Sequence, residues 1–588
     1  MIRIFYRIIK DIFGKIPGKA IVCCFLDILH ALSIVLLVAF TQHFFDSIAL
    51  VGTSGSIWFA IEALILFLVG TIVMEVCNGA ANFKIEFLSP KVIAHMYERL
   101  YQKASRIEAV SYEKAVFLDC MEKAQQGIES GVMAAWFVVS IFTFYLPYYI
   151  FMALYLRNLS PFLLLVLLFV FLPVIIGKAI RFKIFKQVED EIAPTRRAME
   201  YYEKVICDRD YFKETRLLGT FEYFIRLFRD TRDMVNRKVL NAEIKHARIE
   251  LILRVLTVGG YVGILLILVQ ELLKGNITVG AFAAIFSGVG MMFSLAEEVF
   301  GGVMQYISRN AASIFNYYKF LDLEEPSNKI YTDKPELFNG IELKNVCFCY
   351  PEMEKPVIRN VSLFIPEGKT VAVVGENGSG KTTLVKLMAG LYKPCNGDVW
   401  VNGHNTKTAE NEKIYGECSG VFQKFQRYRM SLKDNVIISD YQKSGDIEKF
   451  FEEACINADV ENSVNVFPNG SETILSREFG GIDLSGGQWQ RVATARGLYR
   501  NRRILFLDEP TSAIDPLEET RVYKKFAELS KRRTTVIVTH RIGAAQIADF
   551  IVVMKEGMID EIGTHQELIK KEGLYTMMYR EQGKWYKK

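Results

Sequence analysis

Residues 370–383 read TVAVVGENGSGKTT. Five apolar or β-branched residues form the pattern of a short buried strand, and glycines then break it at Gly375, Gly378 and Gly380. The stretch from Lys381 onward (KTTLVKLM) can open a helix. Strand, glycine turn and helix start together make a phosphate cradle. Gly375 and Gly380 permit the tight turn, and successive amide N–H groups from Glu376, Asn377, Gly378, Ser379 and Thr383 then converge on phosphate oxygens. Lys381 brings a positive charge to the β- and γ-phosphates, and the Thr382 hydroxyl is placed to ligate magnesium. The expected fold around this loop is an α/β P-loop NTPase domain with ATP and Mg2+ as ligands.

Further motifs follow in a fixed order. Residues 484–491 read LSGGQWQR, 504–510 read ILFLDEP, 512–515 read SAID and 536–540 read VIVTH; upstream, Gln423 sits in VFQKF and Tyr350 closes VCFCYP. This series resembles that of ATP-binding cassette (ABC) proteins. The apolar strand ending in Asp508 and Glu509 is similar to a Walker B motif: Asp508 holds magnesium, and Glu509 orients and deprotonates the attacking water, since phosphoryl transfer to water needs a positioned base. The resemblance makes His540 the switch histidine at the γ-phosphate, Gln423 a magnesium ligand that also faces the membrane domain, and Tyr350 the platform for adenine. It likewise makes Ser485, Gly486, Gly487, Gln488 and Asp515 nucleotide contacts. Two departures from the common pattern stand out: Lys424 follows the Q-loop glutamine where many members carry an acid, and SREFGGID (476–483) precedes the signature. Cys347 and Cys349 share a strand face, but no second pair completes a metal site.

At 588 residues the chain exceeds one compact domain. A polar, proline-bearing linker at 324–340 divides it into an N-terminal helix (1–18), a membrane domain (19–323) and an ATPase domain (341–588). Six apolar stretches reach bilayer length, near 20–45, 57–77, 131–156, 160–180, 251–273 and 279–300. Residues 162–176 (FLLLVLLFVFLPVII) contain no polar side chain, which favours lipid over a soluble core. The short turns carry few basic residues, whereas the long connections at 80–130 and 180–250 carry many, including Arg196, Arg197, Arg209 and Lys213. That bias places the N-terminus, both long connections and the ATPase in the cytoplasm of a multi-pass plasma-membrane protein, bacterial by resemblance. Ile4, Phe5, Ile8, Ile9 and Ile12 share one face of an N-terminal helix, the pattern of a segment lying in the membrane interface. The layout is similar to the all-α, six-helix membrane domain of ABC exporters, whose coupling helices correspond to 112–123 and 207–213.

A net charge of +5 is small for this length and calls for no nucleic-acid partner. Ten scattered cysteines fit reduced thiols. One membrane half and one ATPase imply a half-transporter. The expected function is ATP-driven export of a peptide, lipid or amphipathic small molecule by a dimer that alternates access. The alternative is a channel or sensor of the same fold. Glu509, His540, Ser485, Gly486 and Gly487 are all intact, which favours an identical chain as partner. Ionisable residues in or near the spans are Asp27, Glu62, Glu75, Arg254, Glu297 and Glu298. Glu297 and Glu298 are placed to meet a cationic substrate, or to sit in water at the membrane edge. Trp136, Met291, Met292 and Phe293 are placed to line an adaptable cavity, or to pack helix on helix.

Overall fold

The computed structural model describes residues 2–54, 57–159, 161–208, 210–325, 338–460, 467–510, 521–522, 525–528, 530 and 533–584. It separates into two compact units: Met1–Ala104 with Cys120–Leu323, and Ser105–Asp119 with Glu324–Lys588.

The first unit is helical: α1 (Ile2–Lys15), α2 (Pro17–Ser54), α3 (Trp58–Phe83), α4 (Ser89–Arg106), α5 (Ala115–Ser140), α6 (Leu146–Leu159), α7 (Pro161–Cys207), α8 (Phe212–Leu217), α9 (Phe221–Leu273), α10 (Val279–Glu298) and α11 (Met304–Leu321). Five described stretches are long and apolar enough to cross a membrane: Pro17–Val51, Trp58–Arg106, Ala115–Leu159, Phe221–Leu273 and Val279–Leu321. The remaining expected span, 160–180, opens α7, where the side chains of 161–171 lie outside the described residues. Ile65, Val69, Ile72 and Val76 on α3, and Leu251, Ile252, Val255 and Leu266 on α9, are exposed. Water would penalise so broad an apolar surface, whereas hydrocarbon does not.

Three breaks within these spans are π turns, at Lys84–Leu88, Ile141–Tyr145 and Val299–Val303. Polar pairs tie the helices near two of them. The Tyr145 hydroxyl donates to Glu298 Oε1 at 2.8 Å, and Thr143 Oγ1 donates to Asp27 Oδ2 at 2.6 Å. Asp27 is thus buried with a partner, as a carboxylate inside a membrane bundle must be. Glu62 and Glu75 are exposed on α3.

The apolar face of α1 meets protein. Phe5, Ile8 and Ile12 are buried, Arg7 forms a two-pronged pair with Asp322 at 2.7 and 2.8 Å, and Asp11 takes Arg99 at 2.7 Å and the Tyr318 hydroxyl at 2.8 Å. Three of the five residues on the face expected at the membrane interface are thus buried against protein, and Ile4 and Ile9 are half-buried. Close approach of α5 to α11 depends on Gly127, where an added Cβ would lie 2.2 Å from the Ser313 carbonyl oxygen. Backbone cannot yield as a flexible side chain can. Gly127→Ala is expected to cost on the order of 1–3 kcal/mol, read as a lowered melting temperature in detergent; an unchanged melt would show that the two helices shift freely.

The second unit contains two sheets. β1 (Gly340–Phe348), β2 (Ile358–Pro366), β4 (Asn396–Val401) and β5 (His404–Asn405) form an antiparallel sheet in the order β2-β1-β4-β5. β3 (Thr370–Gly375), β6 (Cys418–Val421), β7 (Ile504–Asp508), β8 (Thr534–Val538), β9 (Phe550–Lys555) and β10 (Met558–Gly563) form the other, in the order β10-β9-β3-β8-β7-β6. β9, β3, β8, β7 and β6 are parallel and β10 is an antiparallel edge. β3, β7 and β8 are buried along their whole length, as parallel strands covered on both faces are.

Candidate active site

β3, β8, β7 and β6 lie side by side, so their carboxyl ends open on one edge of the sheet. Ligands of parallel α/β sheets gather at such an edge. The glycine loop leaves β3, Thr539 and His540 follow β8, Asp508 and Glu509 leave β7, and Gln423 follows β6. Residues spread over more than a hundred positions converge because the strand order interleaves them.

The glycine turn cannot be built with other residues. Gly375 has φ +153° and its added Cβ would lie 2.3 Å from the Met554 carbonyl oxygen; Gly380, at φ +98°, would press within 2.8 Å of Ile358. Gly380 caps the helix Lys381–Met388, and Ser379 and Thr383 are buried. Glu376, Asn377 and Gly378 form the exposed crest of the turn. Lys381 is buried and its Nζ donates to the carbonyls of Gly375 at 2.9 Å and Glu376 at 2.8 Å. Burial lowers its pKa, while Glu509 and Asp508 pull the other way. The ammonium stays where it can exchange those carbonyls for phosphate oxygens.

Asp508 is buried, and burial together with neighbouring Glu509 pushes its carboxyl up to about 6. Thr382 Oγ1 donates to Asp508 Oδ1 at 3.4 Å. A hydroxyl and a crowded carboxylate at the rim of a phosphate cradle are the hard oxygen donors that suit Mg2+. The donor set therefore fits the metal.

Glu509 follows with φ +49°. This left-handed turn, unusual for a side chain of its kind and costing roughly 1–2 kcal/mol, precedes a carboxylate that reaches the residues after the neighbouring strands. Gln423 Nε2 donates to Glu509 Oε2 at 2.6 Å, and His540 Nδ1 lies 3.2 Å from Glu509 Oε1. One carboxylate is thereby held between the residues that follow β6 and β8. Gln490, on the helix Gly486–Arg500, donates to the Glu509 carbonyl at 3.4 Å, a contact that pattern reading does not find because nothing in the signature stretch marks Glu509 as its partner.

Tyr350 stands at the mouth of the cradle. Its hydroxyl lies 3.0 Å from Thr383 Oγ1 and its ring meets Tyr392 edge-on at 5.8 Å. The signature residues are elsewhere. Ser485 caps the helix Gly486–Arg500 in a reciprocal box with Gln488, at 3.3 and 2.8 Å. Ser485 and Gly486 are exposed, Gly487 is half-buried, and the flanking Leu484 and Trp489 belong to a core cluster separate from the one that anchors the glycine-loop helix. Residues 512–515, with Asp515, lie outside the described residues.

A membrane-half segment belongs to this unit. Residues Ser105–Asp119 cluster with the sheets, Val110 packs against the core, and Glu113 accepts from Lys386 at 3.3 Å and from the Tyr392 hydroxyl. Lys424, the residue that departs from the common pattern, helps hold the Glu113 carboxyl below its usual range, after the larger effects of Tyr392 and Lys386. The chain stretch grouped with this unit starts upstream of the expected 112–123 and contains a 3-10 turn at Ala109–Glu113. Glu113, Lys386 and Tyr392 were not legible in sequence, since nothing marks residues so far apart as partners. Of the second expected coupling segment, 207–213, Arg209 lies outside the described residues and the short helix begins later, at Phe212.

The expected substrate-cavity residues divide. Trp136 and Met292 are buried among helices, Met291 is half-buried, and Glu298 holds the Tyr145 hydroxyl. Phe293 and Glu297 face a cavity of about 370 Å³ between α7, α9 and α10.

Residues 358–512 match the profile of the ABC transporter family. By that match residues 358–512 carry an ABC transporter domain. It is 31% identical over 385 residues to the subtilin transport ATP-binding protein of Bacillus subtilis, covering 64% of this chain and 62% of that protein. It is 33% identical to the ATP-dependent lipid A-core flippase of Photobacterium profundum over 56% of this chain and 55% of the relative. A third similarity, 27% to the flippase of Methylococcus capsulatus, spans 87% of this chain and 84% of the relative. The chain thus spans less than two thirds of the first two of these relatives. The structure of a bacterial Atm1-family ABC exporter with ATP bound superposes with a TM-score of 0.74 over 96% of this chain and 98% of the other, at 17% identity. At that identity the likeness is one of fold.

Proposed function

We propose that this chain is one half of an ATP-driven exporter. The observation that carries the reading is the junction at Glu509, where one carboxylate is held by Gln423 and His540 beside a buried lysine and a threonine–aspartate pair. Glu509 orients the attacking water and takes its proton; Lys381 and the glycine-loop amides hold the β- and γ-phosphates; His540 reaches the γ-phosphate; Tyr350 stacks on adenine. Thr382, Asp508 and Gln423 would hold Mg2+, which supplies charge neutralisation at the phosphates.

Ser485–Gln488 cap a lobe apart from the glycine loop, so a second chain, of the same sequence, presents its signature across the nucleotide. Two such chains close on ATP and reopen after hydrolysis, and alternating access follows. The substrate is an amphipathic molecule, a class that includes the lipid for which the flippase relatives are named. It moves outward from the cytoplasm, with the ATPase and N-terminus on the cytoplasmic side of a plasma membrane.

Reconstitution into liposomes with the ATPase outward tests the reading: added Mg-ATP should drive accumulation of a lipid or amphipathic peptide inside. Hydrolysis with no movement of any such compound would leave an ATPase without a pump. Glu113 supplies a sharper check on coupling. Glu113→Gln weakens the hold on Lys386 and Tyr392 without touching the reacting groups, so transport per ATP hydrolysed is expected to fall severalfold with basal hydrolysis within about twofold of the parent. Equal losses in both would place Glu113 in the fold of the unit and not in coupling.

A further inference from the structure

The helix Leu574–Lys584 sets Tyr575, Met578 and Gln582 at i, i+3 and i+7, on one face. The first two are anchors. Tyr575 is fully buried in a cluster with Ala372 and Val374 of β3 and with Ala545, and Met578 packs against the same cluster. The start of the helix is pinned as well: the Leu574 and Tyr575 amides donate to the Glu561 carboxylate at 3.0 and 3.3 Å, and Thr576 Oγ1 donates to the Leu568 carbonyl at 2.8 Å. The third position of this face carries an amide where the pattern calls for another apolar residue. Gln582 is half-buried, and its Nε2 donates to the main-chain carbonyl of His540.

His540 stands just past the sheet. β8 ends at Val538, and the Thr539 amide still donates to the Val373 carbonyl of β3 at 3.2 Å. One residue further, the His540 ring lies with Nδ1 at 3.2 Å from Glu509 Oε1, while its carbonyl accepts from Gln582. The residue is held by its ring toward the reacting groups and by its backbone toward a helix rooted in the core.

We infer that Gln582 is a positioning residue for ATP hydrolysis, fixing the backbone of His540 so that the ring stays beside Glu509. It acts through the histidine and neither takes nor gives a proton. Misplacement by about 1 Å is enough to slow a reaction whose groups must be aligned, and the bond to Gln582 limits such drift. The inference deepens the exporter reading and rests on its assignment of His540 to the γ-phosphate.

A double-mutant cycle on the purified full-length chain in lipid nanodiscs tests it, with kcat and KM for Mg-ATP and the melting temperature read for each variant. Gln582→Met keeps the length and the packing but removes the donor. Its kcat is expected to fall about three- to tenfold, the rate equivalent of one neutral hydrogen bond. KM should stay within about twofold of the parent, since the cradle around Lys381 is untouched. Gln582→Lys keeps a donor at similar reach and should recover most of the lost rate, which a packing role does not predict. In a His540→Ala background Gln582→Met should have no further effect, because the ring it positions is gone; single-turnover phosphate release from labelled ATP reads rates that low.

A fall in kcat alone, recovery by lysine and loss of the effect without the histidine together support the inference. Parental kcat in Gln582→Met, a change confined to KM, no recovery by Gln582→Lys, or an equal further fall in the His540→Ala background overturns it. Parental hydrolysis by His540→Ala alone would instead remove the histidine from the γ-phosphate, and the positioning role with it. A slow His540→Ala beside an unaffected Gln582→Met would overturn the positioning role and leave the exporter reading standing.

Discussion

Glu509→Gln is expected to lower ATP hydrolysis by a factor of about a hundred to ten thousand, the usual contribution of a general base, with ATP still bound. The amide keeps the shape and can still lie beside Gln423 and His540, which hold the carboxylate at 2.6 and 3.2 Å. What it loses is the capacity to accept a proton from water. Bound nucleotide should accumulate unhydrolysed, detectable by filter binding of labelled ATP alongside phosphate release. Hydrolysis within a fewfold of the parent would remove Glu509 from the role of base and leave it as a link between strand ends.

Lys381→Ala is expected to weaken nucleotide binding about ten- to a hundredfold, the scale of losing a charged hydrogen-bond partner, with hydrolysis falling at least as far. Lys381 Nζ sits on the carbonyls of Gly375 and Glu376, so the substitution strips charge from the cradle and also loosens the empty loop. Titration with a fluorescent ATP analogue separates the contributions. A variant that binds normally but hydrolyses slowly would confine Lys381 to the reaction itself.

The nucleotide half was legible because its chemistry is local. Glycines at Gly375 and Gly380, an apolar strand before them and a DE pair after another strand each state a backbone requirement within a few residues. The structure adds what no local pattern holds: the order β3-β8-β7-β6, which sets His540 and Gln423 on either side of Glu509. The membrane half was legible as apolar length but not as packing. Trp136 and Met292 read equally well as cavity wall or helix interior, and only the arrangement of neighbouring helices decides for burial. The N-terminal helix is legible only in part for a related reason: an isoleucine stripe looks the same whether lipid or protein covers it, and the structure adds that Phe5, Ile8 and Ile12 are buried against protein. The stretch Ser105–Asp119 could not be bounded in advance, since Glu113 meets Tyr392 across 279 positions.

The central claim is that a nucleotide lies between the glycine loop of one chain and the signature of a second. It is tested most directly by mixing two inactive variants, Lys381→Ala and Gly486→Asp, and measuring ATP hydrolysis after subunit exchange. In a mixed pair both defects fall on one site and the other is intact. Random pairing makes half the dimers mixed, each with one sound site of two, so recovery to about a quarter of parental activity is expected. Activity no higher than that of either variant alone, with mixed pairs present by crosslinking, would contradict the shared site.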